Sequence, residues 1–575
     1  MKPQSPPPKA YSAIEVTRLV WLAIFVSVFS FLYFSRHGDV LLYGDAVAHI
    51  NIARRVFDSK TPGLLQLGTV WLPLPHLLIL PFILSKQMWQ SGTGGSIPSM
   101  AGFVLGVLGV FRLVRTAFAR DGEVDATVKV AAWVSALVYA ANPNLIYMQA
   151  TAMGESLYLA FFVWAVVYFA EFVQGGAKAE RALTQCGLCL MAAGLTRYDG
   201  WFLSVALVAW AVLARARAPL LAKDARNGAP KSLIPPGSLS ASRTAVVKFI
   251  VLAAAAPALW LAYNAAVYRN PLEFANGPYS AKAIEQKTGT VNPAKGNLFA
   301  ASSYFLRAAE LNVGEPTWLG RLWLGLALLG SFSAALSGRG RVALLLWAPL
   351  PFYALSVAYG SVPIFVPPWW PFSQYNVRYG LQLLPAFAVF VPLGIRFLLQ
   401  SAIRIPRLAV FSSRAHVVGM VSVVVLLLAS YSAIWRADPI CYREAAINMR
   451  GRVALDGQLA GWIQSLPADS TLLMYLGEHV GALEQAGVPL RRVINEGNHR
   501  VWMQPVDPQG LWERALADPA AYADYAVAFD GDPVWKAAQK KDQKLKALVE
   551  IHTTGQPPAV VFQGRAPTRS QGQAQ

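Results

Sequence analysis

The chain alternates long apolar runs with short polar breaks, many of them basic. A run of about 17–25 apolar residues can cross a bilayer as a helix. Eleven runs approach or reach that length: 18–35, 97–118, 130–148, 155–173, 182–197, 201–214, 245–268, 317–336, 342–360, 379–399 and 417–435. The pair 182–197 and 201–214 is short and joined by Tyr198-Asp199-Gly200, which predicts a tight hairpin of helices. A twelfth patch, 70–84, contains Pro73, Pro75, His76 and Pro81 and is too short to span comfortably.

Charge parity decides how that patch is read. Lys2, Lys9 and Arg18 place the N-terminus in the cytoplasm. If 70–84 does not cross, Arg112, Arg115 and Arg120 are cytoplasmic too. So are the stretch Arg215, Arg217, Lys223, Arg226, Lys231, Arg243, the pair Arg339 and Arg341, and the group Arg396, Arg404, Arg407, Arg414. If it crosses, all of these flip outward. The patch is therefore expected to be re-entrant or interfacial. No small-residue cleavage site follows the first run, which reads as a retained helix and not a signal peptide.

Three regions follow: a cytoplasmic tail, 1–17; a transmembrane domain, 18–435, with outer loops 36–96 and 269–316; and an extracytoplasmic portion, 436–575. The last changes character. Strands are expected at 471–477, 491–495, 525–529 and 559–562, and helices at 451–466, 510–517 and 533–550, a small α/β domain. The predicted fold is mainly α, a polytopic membrane protein of about eleven spans with this soluble domain at its C-terminal end. Its final ten residues read as disordered.

Composition agrees. Of the 575 residues 55% are hydrophobic and 14% charged, against about 25% charged in soluble chains. The net charge of +19 fits cytoplasmic loops meeting anionic headgroups better than nucleic-acid binding, so membrane lipids are the expected partners and nucleic acid is not. Cys186 and Cys189 form a CxxC inside an apolar helical run, which reads as packing.

The chemistry concentrates at the outer face. Asp45 follows Tyr43-Gly44 and begins a helical stretch, 46–58, with His49 one turn on. At the N-cap position it would cap this helix; near the membrane surface it can also take a proton from an acceptor. Arg54 and Arg55 suit lipid phosphate or headgroups. Glu155 lies where an outgoing helix meets a returning one, a costly place for an unpaired carboxylate. Two outer carboxylates suit acid/base work or a divalent cation. Arg197 and Asp199 flank the hairpin turn and read first as an ion pair. Arg378-Tyr379 opens an apolar helix after a Pro- and Trp-rich stretch, where an Arg can fork onto phosphate. His37, His49 and His76 match no zinc spacing. Glu478-His479 and Glu496 to His499 read as loop residues after strands.

Tyr43-Gly44-Asp45-Ala46, Thr69-Val70-Trp71-Leu72-Pro73-Leu74-Pro75, Ala152 to Tyr158 and Asn376 to Pro385, in that order and topology, resemble the GT-C superfamily of membrane glycosyltransferases. Among its members are protein O-mannosyltransferases, the aminoarabinose transferase of lipid A and related polyprenyl-phosphate-sugar enzymes. The resemblance covers about 18–435. It implies transfer, with inversion, of a sugar from a polyprenyl-phosphate donor to an extracytoplasmic glycan, lipid or protein, at the outer face of a bacterial inner or plasma membrane. It places Asp45 as base, Glu155 as the second acidic residue and Arg378 near the donor phosphate, with Arg54 and Arg55 as further phosphate ligands. Tyr43, His49, Arg197, Asp199 and Tyr379 are the expected substrate contacts. Gly44-Asp45 stands where some relatives carry paired acidic residues, which argues against strong metal dependence; a divalent cation stays open. The alternative class is a transporter or flippase of lipid-linked sugars, which would place ionisable residues near mid-membrane.

Overall fold

The computed structural model describes residues 13–119, 124–226, 242–289, 292–338, 340–366, 374–403, 415–499, 509–540 and 545–564. Lys2, Lys9, Arg120, Lys231, Arg339, the Pro- and Trp-rich stretch 367–373, Arg404, Arg407, Arg414 and the tail lie outside them.

Eight helices among the described residues are long and apolar enough to cross a membrane, and the protein is a mainly α, polytopic membrane protein. Three of the expected runs fall elsewhere: in the shorter helices Ala126–Ala140 and Ala179–Gly194, and in Asp199–Arg226. The run 130–148 is not one helix. Asn142 caps a new helix, Pro143–Gln149, by accepting from Leu145 N, and Pro143 has no N–H to continue the preceding one. Large apolar side chains such as Trp21, Phe25 and Phe29 point outward, as a lipid-facing surface requires. Inside, Thr317–Ser337 and Leu384–Ile403 cross closely. A Cβ on Gly330 or Gly394 would run into the other helix's backbone, so only glycine permits this approach.

Two ion pairs orient the spans. Arg115 reaches Glu15 at 3.0 Å and Arg112 reaches Glu171 at 2.6 Å. The start of the first span (Ala13–Arg36) and the ends of two others (Thr93–Phe118 and Glu155–Gln174) thus share one side. The chain from 37 to 92 therefore begins and ends on the opposite side, and 70–84 does not cross it. That segment holds a seven-residue helix, Pro73–Ile79, about 10 Å long. The loop 269–316 is also built, with helices Glu273–Asn276, Ala281–Thr288 and Leu298–Val313.

The C-terminal part carries a mixed sheet of five strands: β1 (Leu472–Met474), β2 (Val493–Ile494), β3 (Tyr525–Phe529), β4 (Lys546–Ile551) and β5 (Ala559–Gln563), in the order β2-β1-β3-β5-β4. β2, β1 and β3 are parallel; β5 pairs antiparallel with β3 and β4. Two expectations are corrected here. The stretch 533–550 is a helix only over Pro533–Ala538, and its second half is β4. Lys- and Leu-rich sequence favours helix, but pairing along β5 overrides that weak preference. The helix expected at 451–466 starts eleven residues earlier, spanning Ile440–Gln464 with Pro439 at its N-cap. A helix not anticipated, Leu476–Ala486, follows β1 and packs on the first-loop helix Gly44–Arg55.

Candidate active site

The first-loop helix Gly44–Arg55 has Tyr43, not Asp45, at its N-cap, so the expected capping role of Asp45 is wrong. The helix starts two residues earlier than its pattern suggests. Asp45 lies in the first turn, where a carboxylate favours the helix dipole, and its side chain turns away to a distant partner. Arg378 Nη2 donates to Asp45 Oδ2 at 2.6 Å.

Arg378 is the hub. It sits in the tight turn Val377–Leu383, after Asn376 with a left-handed φ of 56°. Its Nη1 donates to Glu444 Oε1 at 3.0 Å, and its Nε lies 3.3 Å from Glu155 Oε1. The guanidinium lies over the rings of Tyr43 and Tyr379 at 5.2 and 5.1 Å. Glu155, the first residue of its helix and fully buried, also accepts from Arg197 Nη1 at 2.9 Å. Arg197 continues to Asp199 at 3.4 Å and donates to Tyr353 Oη at 2.9 Å; Tyr353 in turn donates to Asp199 Oδ2. Tyr353 stacks on Tyr379. Four carboxylates and two guanidiniums thus form one connected chain. It is not saturated: among the described residues Glu155 Oε2, Asp199 Oδ1, Arg378 Nε and Arg197 Nε make no hydrogen bond. Asp45 is the accessible member, with 37% of its side chain exposed against 1% for Glu155 and 2% for Glu444.

Glu444 is a member of the site that the sequence does not flag. Its carboxylate accepts from the backbone N–H groups of Asn376 and Val377 at 3.1 and 2.7 Å as well as from Arg378. It caps the turn that carries Arg378 from another part of the chain. The one available signal is a lone Glu among Cys441, Ala445 and Ala446, all buried. Tyr43 is tied to the same helix, its Oη donating to Cys441 O at 3.0 Å.

His49 and His76 meet: His49 Nδ1 and His76 Nε2 are 2.8 Å apart, with Trp71 against His49 at 5.0 Å. Burial lowers the proton affinity of both rings, and the neighbouring His49 lowers that of His76 further. Arg54 does not join the network. It donates to Asp58 Oδ2 and Ile83 O and is sandwiched between Phe57 and Trp89. Asp58 also accepts from Arg491 N, so this pair pins the loop to the C-terminal part. Arg55 lies 3.7 Å from Glu496; Glu496 accepts from Leu476 N. Among the described residues no group of three or more His, Cys, Asp or Glu is placed to hold a metal ion.

A cavity of about 300 Å³ opens at Gly44, next in the chain to Asp45, between the first loop, the Ala281–Thr288 helix and the C-terminal part; Asn51, Arg55, Trp71, Ile284 and Arg452 line it. The Arg452 guanidinium lies against Gly44, where a Cβ would stand. The space of a second acidic side chain before Asp45 is thus filled by a cation from the Ile440–Gln464 helix.

Behind the cavity Asn51 Nδ2 donates to Glu484 Oε2 at 2.6 Å, and burial pushes the Glu484 carboxyl up to about 8. Folded protein keeps this proton at pH values where unfolded chain, at about 4.3, has lost it. The stability Glu484 contributes is full below that value and is lost as pH rises through about 8. Melting temperatures taken from about pH 5 to about pH 8.5 should fall for the wild type and stay flatter for Glu484→Gln. Parallel curves would disprove the assignment.

The fold and this site define a polytopic membrane protein with a charged pocket at one end of its spans. The resemblance to the GT-C superfamily holds at the level of the fold. The chain is similar to ArnT from Cupriavidus metallidurans bound to undecaprenyl phosphate, at 14% identity and a TM-score of 0.56, covering 98% of this chain and 100% of that one. The apo state of the same protein matches at 14% identity and 0.55, covering 95% and 98%. No protein-family model matches the sequence, and no curated protein matches it significantly.

Proposed function

We propose that this protein is an integral membrane glycosyltransferase. It moves a sugar from a polyprenyl-phosphate donor to an acceptor hydroxyl on the extracytoplasmic side. The observation that carries this reading is the 2.6 Å contact between Asp45 and Arg378, which joins a solvent-reachable carboxylate to a phosphate-binding type of side chain. The likeness to a structure holding undecaprenyl phosphate supports the donor class.

In this reading the donor phosphate draws the Arg378 guanidinium from Asp45. The acceptor oxygen attacks the anomeric carbon, the carbon–oxygen bond to phosphate breaks, and the acceptor proton passes to Asp45. Arg378 then faces the departing phosphate, a charge that grows in the transition state. Glu155 and Glu444 hold Arg378 from behind, and Arg197, Asp199 and Tyr379 shape the inner wall.

The first experiment is a mass profile of envelope glycans and glycolipids from cells with and without the protein. A species that loses one sugar, with its precursor accumulating, establishes transfer and names the acceptor. Matching profiles move the transporter reading ahead. Reporters at Ser232, outside the described residues, and at Ala468 should be cytoplasmic and external respectively; any other pattern breaks the orientation.

A further inference from the structure

His49 stands one helical turn from Asp45, and His76 lies on the Pro73–Ile79 helix. The hydrogen bond between their rings is sealed: His76 is 0% exposed. One proton must lie between His49 Nδ1 and His76 Nε2, and two arrangements can supply it. If His49 donates, His76 must carry its own proton on Nδ1. That nitrogen is buried and has no partner among the described residues, so an N–H would be left orphaned. If His76 donates from Nε2, its Nδ1 is a bare lone pair, which is the less costly orphan. His49 then carries its proton on Nε2. This nitrogen makes no hydrogen bond among the described residues, and the ring stands within the fields of Asp45, Glu155, Arg197 and Arg378.

We propose that His76 is a positioning residue. It locks His49 as a neutral donor whose Nε2–H is presented to the phosphate oxygen that gains charge as the sugar leaves. The assignment of this oxygen rests on the transfer reading above; the lock itself does not. A neutral donor suits a pocket already rich in carboxylates. It adds a hydrogen bond to the anion without becoming a second base in competition with Asp45. Trp71, which packs on His49 and lines the cavity wall, holds the ring's orientation, with Nδ1 toward His76.

The test uses the full chain in lipid nanodiscs with ¹⁵N-labelled histidine, the signals assigned by single substitutions among its seven histidines. The expected spectrum has both rings neutral and both protonated on Nε2. A His49 ring protonated on Nδ1, or an imidazolium, overturns the proposal. In transfer assays His76→Leu should lower kcat by about 10²-fold, with the donor KM changed by less than about threefold. His76→Gln, whose amide N–H can replace the ring donor, should recover most of that loss. Leu and Gln variants that fold and are equally impaired, or equally active, overturn the positioning role. If the wild type transfers no sugar at all, the role in transfer falls with that reading, while the ¹⁵N spectrum still decides the lock.

Discussion

Asp45→Asn should lower sugar transfer by about 10²–10⁴-fold in a protein that folds and melts like the wild type. The substitution keeps the shape of the side chain and one acceptor oxygen for Arg378 Nη2. What it removes is the ability to take a proton. The stability cost should be small, about 1 kcal/mol or less, because the pair is partly open to solvent on the Asp45 side. Arg378 would still be held by Glu155 and Glu444. Purified wild type and variant, assayed with a labelled donor and followed in parallel by thermal melting, separate the two roles. A folded variant with normal turnover would mean that Asp45 serves only to hold Arg378.

The second large effect is expected at Arg378. Arg378→Ala should raise the apparent donor KM about 10- to 100-fold, the value of one charge-assisted hydrogen bond to phosphate. It should also destabilise the protein, because Glu444 is left buried without its cation and Glu155 keeps only Arg197; removing one partner of a buried pair costs about 3–5 kcal/mol. Arg378→Lys restores the charge but not the fork that reaches three carboxylates at once, so it should rescue stability more than donor affinity. Glu444→Gln separates structure from binding further. Its amide oxygen can still accept from Val377 N, but its NH₂ group then faces two donors, Asn376 N and Arg378 Nη1. The expected result is a raised donor KM in a protein of reduced stability. An unchanged donor KM in a folded Arg378→Ala protein would remove Arg378 from phosphate binding.

Much of the site is legible in the amino-acid sequence. Glu155 stands out because an unpaired carboxylate at a helix entrance is costly near the membrane, Asp45 as an outer carboxylate able to take a proton, Arg378 as a fork for phosphate, and Arg197 as half of an ion pair. The fold joins them into one network, and Asp199, Tyr43 and Tyr379 enter it as neighbours. The sequence marks His49 as a substrate contact, but it shows its partner His76 only as part of a zinc spacing that fails. Arg54 illustrates the opposite case. Its position beside Arg55 suggests a phosphate ligand, but its charge is consumed by Asp58 and a carbonyl. Glu444 and Tyr353 carry no sequence signal of comparable strength, since a single polar atom on an apolar helix shows its partner only after folding.

The sequence by itself determined the class of protein. Apolar runs of bilayer length, basic breaks on one parity and a polar, mixed C-terminal part follow from the cost of exposing backbone and charge to lipid, and that cost is written residue by residue. It also determined which residues were chemically out of place. Tertiary structure alone decided their partners. Asp45 and Arg378 are 333 positions apart, and no local rule measures that distance. Whether Asp45 caps its helix or faces a cation, whether 546–551 is helix or strand, and which ring nitrogen of His49 is free are all settled by contacts made elsewhere in the chain. Local propensities there amount to tenths of a kcal/mol, and a buried charge or an unpaired N–H outweighs them.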